Sequence, residues 1–287
     1  MKITFYGVRG SVATPGPSTV KYGGNTSCTH VQLNDGSHFI LDAGTGLREL
    51  GMQIEQDKNP VHVLVTHNHW DHIQGFPFFN PVYADDRHIH IASQSIDNMH
   101  YLPIMHTLGT PFHPVELDDL PSNICTYVLE NKMETHQFGN ACVQTMPLNH
   151  PNGGSAFKIE ADGMTVAYVT DNELFPPHDP ETVYEQWVDY VRGVDLLIHD
   201  AQYVESDMPC KHGWGHSLIS QVLDLACDAG VKAVALYHHD PSRTDSQLDE
   251  ISIASATMLK KLDKMPKFFC AAEGQTITIT PSSIESN

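Results

Sequence analysis

From its first residues the chain alternates short apolar runs with turn residues, and long amphipathic stretches are few. Runs rich in β-branched and aromatic residues, bounded by Gly, Pro, Asn and Asp, predict strands near 2–8, 28–34, 37–42, 60–66 and 87–92. Further strands are predicted near 124–130, 134–138, 141–147, 155–160 and 164–170, and then near 194–199, 231–237, 267–270 and 275–280. Helical spacing occurs near 46–56, 181–192, 217–229 and 245–263. In 217–229, Leu218, Ile219, Val222, Leu223, Leu225 and Ala226 keep the helical period, with Ser217 as the expected N-cap and Gly230 as the stop. The stretch 96–123, punctuated by Pro103, Pro111, Pro114 and Pro121, reads as an irregular surface excursion with short helical pieces.

Two blocks of mostly antiparallel strands, each followed by helices, predict a layered α/β (α+β) architecture of two stacked sheets covered by helices. No solenoid-period repeat and no Pro/Gly/Ser linker interrupts the chain, so one domain over 1–287 is expected, with the excursion around 96–123. Periodicity leaves open how the sheets are joined.

Hydrophobic residues make up 40% of the chain, enough for a core at this length. The start, MKITFYGVRGS, lacks the apolar stretch of a secretory signal, and no run approaches the roughly 20 residues of a membrane span. A soluble, cytoplasmic protein without a membrane partner is expected. The cysteines, Cys28, Cys125, Cys142, Cys210, Cys227 and Cys270, form no C-x-x-C pair and read as reduced thiols. A net charge of −19 argues against a large nucleic acid as main partner, since such binding rests on clustered Lys and Arg. The 19 histidines outnumber the 16 Lys and Arg together, which directs attention to histidine spacing.

That spacing is sharpest after the predicted strand Val61-His62-Val63-Leu64-Val65-Thr66, where His67-Asn68-His69-Trp70-Asp71-His72 follows directly. His67 and His69, two apart on extended chain, point to one side and can grip one ion. Asp71 and His72 follow as the chain turns and aim elsewhere, a geometry that suits two ions in one cleft. Imidazoles with carboxylates form a ligand set for zinc, with manganese or iron as alternatives. A histidine-rich surface loop is the competing reading, and the strand-end placement of four such groups disfavours it.

This segment resembles the HxHxDH signature of the metallo-β-lactamase superfamily, and the other motifs of that family follow in order. Asp42, in Leu41-Asp42-Ala43-Gly44, resembles the early aspartate that supports the metal loop without binding metal. His150, followed by Pro151-Asn152-Gly153-Gly154, is similar to the third histidine, and Asp171 in Tyr168-Val169-Thr170-Asp171 to the aspartate bridging two metals. The last histidine is His238 or His239; His238, directly after its strand, is preferred, which leaves His239 to orient a ligand. The resemblance implies a four-layer αββα sandwich with two divalent ions. His67, His69 and His150 would hold one, Asp71, His72 and His238 the other, and Asp171 would lie between.

Within the superfamily the chain resembles ribonuclease Z-like and cyclic-nucleotide phosphodiesterase-like members. Asp171 stands where a cysteine would mark a β-lactamase-like site, while Leu197-Ile198-His199-Asp200-Ala201 and Gly213-Trp214-Gly215-His216-Ser217 resemble the acid and histidine motifs of the ribonuclease Z branch. So do the glycine-rich turns Tyr6-Gly7-Val8-Arg9-Gly10-Ser11 and Tyr22-Gly23-Gly24-Asn25, which either bring backbone to the site or make tight loops. The resemblance implies Asp71, His216 and Asp200 as catalytic: Asp71 accepts a proton from the attacking water, and His216, oriented by Asp200, protonates the leaving oxygen. Arg243 and Lys211 are candidates for phosphate charge or plain surface cations. Trp70, Phe76, Phe78 and Phe79 line a pocket or, for most of them, pack the core. The expected function is a dinuclear phosphodiesterase for a small phosphodiester such as a cyclic nucleotide, with a homodimer open. The alternatives are a ribonuclease Z-like RNA 3′-processing endonuclease, a thioester or lactam hydrolase, and a non-catalytic metal sensor or scaffold.

Overall fold

The computed structural model describes residues 1–95, 102–260 and 266–287. The first half of the chain builds β1 (Lys2–Gly7), β2 (Cys28–Gln32), β3 (His38–Leu41), α1 (Leu47–Gln53), β4 (Val61–Leu64), the one-turn helix α2 (Trp70–Ile73), β5 (His88–Gln94) and β6 (Asn123–Leu129). The second half begins with β7 (Thr135–Phe138), β8 (Ala141–Pro147), β9 (Ser155–Ala161) and β10 (Met164–Val169), and continues through α3 (Tyr184–Tyr190), β11 (Leu196–Asp200), α4 (Ile219–Asp228), β12 (Ala233–Tyr237), α5 (Asp245–Leu259) and β13 (Lys267–Cys270). The chain then returns to the first sheet with β14 (Thr276–Thr280) and β15 (Ser283–Ser286).

One sheet runs β15-β14-β1-β2-β3-β4-β5-β6 and the other β13-β12-β11-β10-β9-β8-β7. Phe5, Phe39, Phe157, Val166, Tyr168 and Ile198 belong to the buried layer between them. Trp187 of α3 and Val222, Leu223 and Ala226 of α4 pack with the outer face of the second sheet, while Leu47, Leu50, Phe76 and Phe79 cover the first. This is the four-layer αββα sandwich. Each inward face needs an apolar residue at every second strand position, and β10 supplies both faces with Met164, Val166, Ala167, Tyr168 and Val169 because helices cover its other side.

In each sheet the strands run parallel where the site will sit: β3 to β4 and β5, and β10 to β11 and β12. β8 pairs antiparallel with β9, as does β10, so β8 and β10 share a direction.

Some expectations shift. The helix expected over 217–229 begins at Ile219, and Leu218, not Ser217, occupies the N-cap position. The Ser217 hydroxyl is engaged elsewhere: it donates to the Asn172 carbonyl at 2.6 Å and accepts the Leu174 N–H at 3.1 Å, tying the helix entrance to the loop after β10. Gly230 does follow the helix end, with φ +63. β15 and the turn α2 have too little periodicity to be read from sequence. The excursion holds short 3₁₀ turns at Pro103–Thr107 and Leu117–Asp119, and its residues 96–101 lie outside the described residues, as do 261–263 of the expected last helix. The cysteines are free thiols. Among the described residues no helix is long and apolar enough to cross a membrane.

One histidine outside the site makes the fold sensitive to acid. His62 on β4 is buried, stacked on Phe39 at 4.7 Å and on His90 at 4.9 Å. Burial first, and the neighbouring His90 second, push its imidazole down to about 4 from the ordinary 6.5. The stability from keeping it neutral is fully present above pH 6.5 and is lost as pH falls through about 4. Urea unfolding is expected to show this loss, and His62→Phe, which keeps the stack and removes the titrating group, to reduce it by up to about 3 kcal/mol. An unchanged pH slope in the variant would exclude His62 as the source.

Candidate metal centre

Strands of one direction bring their C-terminal ends to one edge of the sandwich, where loops carry function on a rigid frame. Asp42 follows β3, the His67–His72 segment follows β4, His150 follows β8, Asp171 follows β10 and His238 follows β12, while Asp200 is the last residue of β11. The structure therefore gathers at one place residues drawn from most of the chain length.

The geometry has two halves around Asp171. Its Oδ1 lies 3.8 Å from His67 Nε2 and 3.7 Å from His150 Nε2; its Oδ2 lies 3.2 Å from His72 Nε2 and 3.1 Å from His238 Nε2. In the first half His69 Nδ1 is 3.1 Å from His150 Nε2. In the second, Asp71 Oδ2 is 3.2 Å from His72 Nε2 and 3.4 Å from His238 Nε2. Potential ligand atoms of His67, His69 and His150, and likewise of Asp71, His72 and His238, all lie within 4.8 Å of one another.

The hydrogen bonds around this cluster decide which nitrogen faces inward. A carbonyl or carboxylate can only accept, so His72 Nδ1–H donates to Asp42 Oδ2 at 2.8 Å, His150 Nδ1–H to the Gly215 carbonyl at 3.0 Å, and His238 Nδ1–H to Gln202 Oε1 at 2.9 Å. His67 Nδ1 meets the Thr66 hydroxyl at 3.1 Å, and that hydroxyl donates on to Asp42. Each of these four rings thereby turns its Nε2 toward the centre. The Nε2 atoms of His67, His72 and His238 are buried and have no hydrogen-bond partner. Lone pairs converging with two carboxylates are the environment a cation needs and a proton cannot satisfy at every position. The residues fit divalent metal.

The same packing sets the electrostatics. Burial drives the His67 imidazole well below its ordinary range and His150 down to about 4, while His72 is carried well above despite burial because Asp71, Asp171 and Asp42 surround it. Burial opposes the ionised forms of Asp71 and Asp171, yet nearby histidines hold both well below the usual carboxylate range.

The backbone is bent to make these contacts. Ser11, Asp42, Asp171 and His238 all have φ between +54 and +62, the left-handed region that costs a side-chain-bearing residue energy. Ser11 thereby points its N–H at Asp71 Oδ2, 2.8 Å away. Gly215, φ +86, lies so close to His150 that a Cβ there would stand 2.1 Å from its Nδ1. The opening glycine-rich turn is thus close approach: a Cβ on Gly10 would meet His238 Nδ1 and Gln202 Oε1, each at 2.7 Å.

Beside the metal cluster stands an acid–histidine pair. His216 Nδ1 lies 2.5 Å from Asp200 Oδ2 and 3.9 Å from Asp171 Oδ1, with its ring stacked on His238 at 5.2 Å. Burial disfavours its charged form, but the Asp200 carboxylate outweighs burial and carries the imidazole up to about 9. Its loop is fixed by Glu173, a buried carboxylate that accepts the Gly213 and Gly215 N–H groups at 2.9 and 3.0 Å.

Other sequence candidates are placed elsewhere. His239 turns away from the cluster, its Nε2–H donating to the Ala271 carbonyl at 2.9 Å, so it touches no candidate ligand ring through hydrogen bonding and is not the orienting group expected of it. That role falls to Gln202 and Thr66. Lys211 pairs with Asp240 at 2.6 Å and Arg243 with Asp207, so both cations are already neutralised. Phe76 and Phe79 are core residues, whereas Trp70 and Phe78 are 57% and 56% exposed. Gln202 and Glu173 were not singled out in the sequence; an amide two residues after Asp200 and an acid two after Asp171 carry no spacing signature.

Residues 38–239 match the sequence profile described as the beta-lactamase superfamily domain. Ribonuclease Z of Halobacterium salinarum is 26% identical over 301 aligned residues, covering 89% of this chain and 92% of the relative. Among solved structures, a diphosphatase of the PhnP family superposes with TM-score 0.69 at 16% identity, covering 97% of this chain and 98% of that one. The short form of human tRNase Z gives TM-score 0.62 at 18% identity, covering 98% and 100%. The profile spans well over half the residues, and the two-sheet sandwich with its strand-end cluster agrees with it: the chain belongs to the beta-lactamase superfamily and has the metallo-β-lactamase fold.

Proposed function

We propose that this chain is a metal-dependent phosphodiesterase for a small phosphodiester such as a cyclic nucleotide. The observation that carries the reading is the His216–Asp200 pair, 2.5 Å apart and set against Asp171. A thioester, whose thiolate departs without a proton, has no need of a protonated group at that position; a diester with a poor alkoxide leaving group does.

His67, His69 and His150 would hold one ion, Asp71, His72 and His238 a second, with Asp171 between, and zinc suits the donor set, manganese or iron being the alternatives. Such ions, when bound, make water nucleophilic near neutral pH and polarise a phosphoryl oxygen. Asp71, held by the Ser11 N–H, accepts one proton from the attacking water. The water oxygen bonds to phosphorus as the ester P–O bond breaks, and His216 gives its proton to the departing oxygen, so that a phosphomonoester and a free alcohol result. Asp200 keeps His216 oriented and charged for that transfer.

A second reading, an RNA 3′-processing endonuclease, is supported by the curated ribonuclease Z relative, which aligns over nine-tenths of the chain. The net charge of −19 supports the small substrate instead, as does the lining of the two cavities beside the centre, which among the described residues includes no Lys or Arg.

The purified protein is expected to carry divalent metal and to cleave bis(p-nitrophenyl) phosphate and a cyclic nucleotide, with Asp71→Ala abolishing both. Cleavage of a precursor tRNA but of no small diester would transfer the assignment to the second reading. His216→Ala is expected to lower kcat by about 10²–10⁴-fold for an alkyl diester and far less for a p-nitrophenyl ester, whose leaving group needs no proton. Equal losses on both would remove His216 from the acid role. Gln202→Leu, which deprives His238 Nδ1–H of its acceptor, is expected to weaken metal binding about 10–100-fold in a competition titration with a chelator.

A further inference from the structure

The candidate centre opens on two sides into cavities of different chemistry. One, of about 430 Å³, is lined by His67 and His69 together with the polar side chains of Asn68, Gln94 and Asn152. The other, of about 360 Å³, has His216 in its wall and is otherwise lined by four apolar residues, among them Phe175 and Met208, and by the polar Glu173, His212 and Gln221. Both fall at the lower end of the roughly 300–1,000 Å³ typical of small-molecule pockets. Resting on the phosphodiesterase reading, we propose that the second cavity is the subsite for the leaving alcohol and takes a planar aromatic ring of it, a nucleoside base, against Phe175.

The assignment of sides follows from His216. A general acid must lie within hydrogen-bond reach of the oxygen it protonates. His216 both faces Asp171 and lines this cavity, so whatever the departing oxygen carries extends into this space. In a cyclic nucleotide the departing oxygen and the base share one ribose, and the base is brought along.

The chemistry of the walls selects the occupant. Phe175 is 48% exposed, yet its ring is held from behind by stacking on Tyr184 at 5.1 Å and 23°. Its carbonyl accepts the His212 Nε2–H at 3.0 Å, which fixes the backbone as well. An aromatic face exposed to a cavity and immobilised on its other side loses little freedom when a ring stacks on it. Met208 adds an adaptable apolar contact. The one carboxylate in the wall, Glu173, already accepts the Gly213 and Gly215 N–H groups, and among the described residues no Lys or Arg lines the cavity to receive a further phosphate, His216 being paired to Asp200. A neutral aromatic group fits; a polyanionic extension does not.

Phe175 lies outside the proposed catalytic set and is half exposed, so Phe175→Ala should fold. With the metal-loaded protein, the substrates are bis(p-nitrophenyl) phosphate and methyl p-nitrophenyl phosphate, both of which release an aryl alcohol while differing in the group retained. Phe175→Ala is expected to raise KM about tenfold for both, and Phe175→Trp to restore it. A rise confined to the bis-aryl ester would place the retained group in this cavity, and no rise for either would leave the cavity without the occupant; each overturns the proposal. Calorimetric titration of adenosine provides a readout independent of turnover. A wild-type protein that hydrolyses no diester defeats the phosphodiesterase reading and the leaving-group role with it, whereas adenosine binding that Phe175→Ala abolishes would still identify an aromatic site; equal binding, or none, in both proteins overturns that as well.

Discussion

Asp42 has no exposed surface, and its two oxygens are approached from three parts of the chain: the Thr66 N–H and hydroxyl at 2.8 and 2.9 Å, His72 Nδ1–H at 2.8 Å, and the Tyr168 hydroxyl at 3.0 Å. A carboxylate removed from water costs several kcal/mol unless donors replace its hydration. The donors here are not local. Tyr168 comes from β10 in the opposite sheet and reaches across the inter-sheet core, while Thr66 and His72 bracket the metal loop. Satisfying one buried charge therefore sets the distance between the sheets at this edge, the path of the loop after β4, and the tautomer of His72. The sandwich and the centre are solved by the same contact.

From that anchor one pattern extends around the site: His67, His72, His150 and His238 each give the Nδ1 proton to an outer acceptor, while His69 turns its Nδ1 inward toward His150. The acceptors have unlike origins, a carboxylate for His72, a backbone carbonyl for His150, a side-chain amide for His238 and a hydroxyl for His67. What they share is fixed position, and the cost of fixing them is visible in the backbone. Asp42, Asp171 and His238 each adopt a left-handed conformation immediately beyond a strand, where the sheet can hold a strained residue in place. A looser loop would relieve the strain and scatter the lone pairs.

How much of this is legible in the sequence depends on whether the signal is local. His67, His69, Asp71 and His72 stand in one short segment, and strands such as β4 and β10 have no competing pattern, so the cradle and the layering are readable from residue order alone. Asp171, His150 and His238 are single residues after strands and become candidates only through resemblance to a family. Gln202 and Glu173 are different in kind: an amide or a buried acid in a loop acquires meaning only from the groups it meets in space. Ser217 illustrates the reverse error. Its position before an amphipathic run is a sound capping signal, yet the hydroxyl is drawn to Asn172 and Leu174, because closing the Asp171 loop onto the entrance of α4 competes successfully with capping the helix.

That closure links the metal cluster to the acid. The loop after β10 carries Asp171, Asn172 and Glu173 in succession. Asp171 lies between the two halves of the cluster, Asn172 receives Ser217 through its carbonyl, and Glu173 binds the Gly213 and Gly215 amides on either side of Trp214. Gly215 in turn accepts the His150 proton, and the next residue, His216, is the one paired to Asp200. A shift in this loop would therefore move a candidate ligand and the candidate proton donor together. In phosphoryl chemistry the attacking and departing oxygens lie on opposite sides of one phosphorus, and a tolerance of about 1 Å separates productive from unproductive placement. If the chain acts on a phosphodiester as proposed, coupling a candidate ligand and the candidate proton donor through one short, buried segment would help to meet that tolerance.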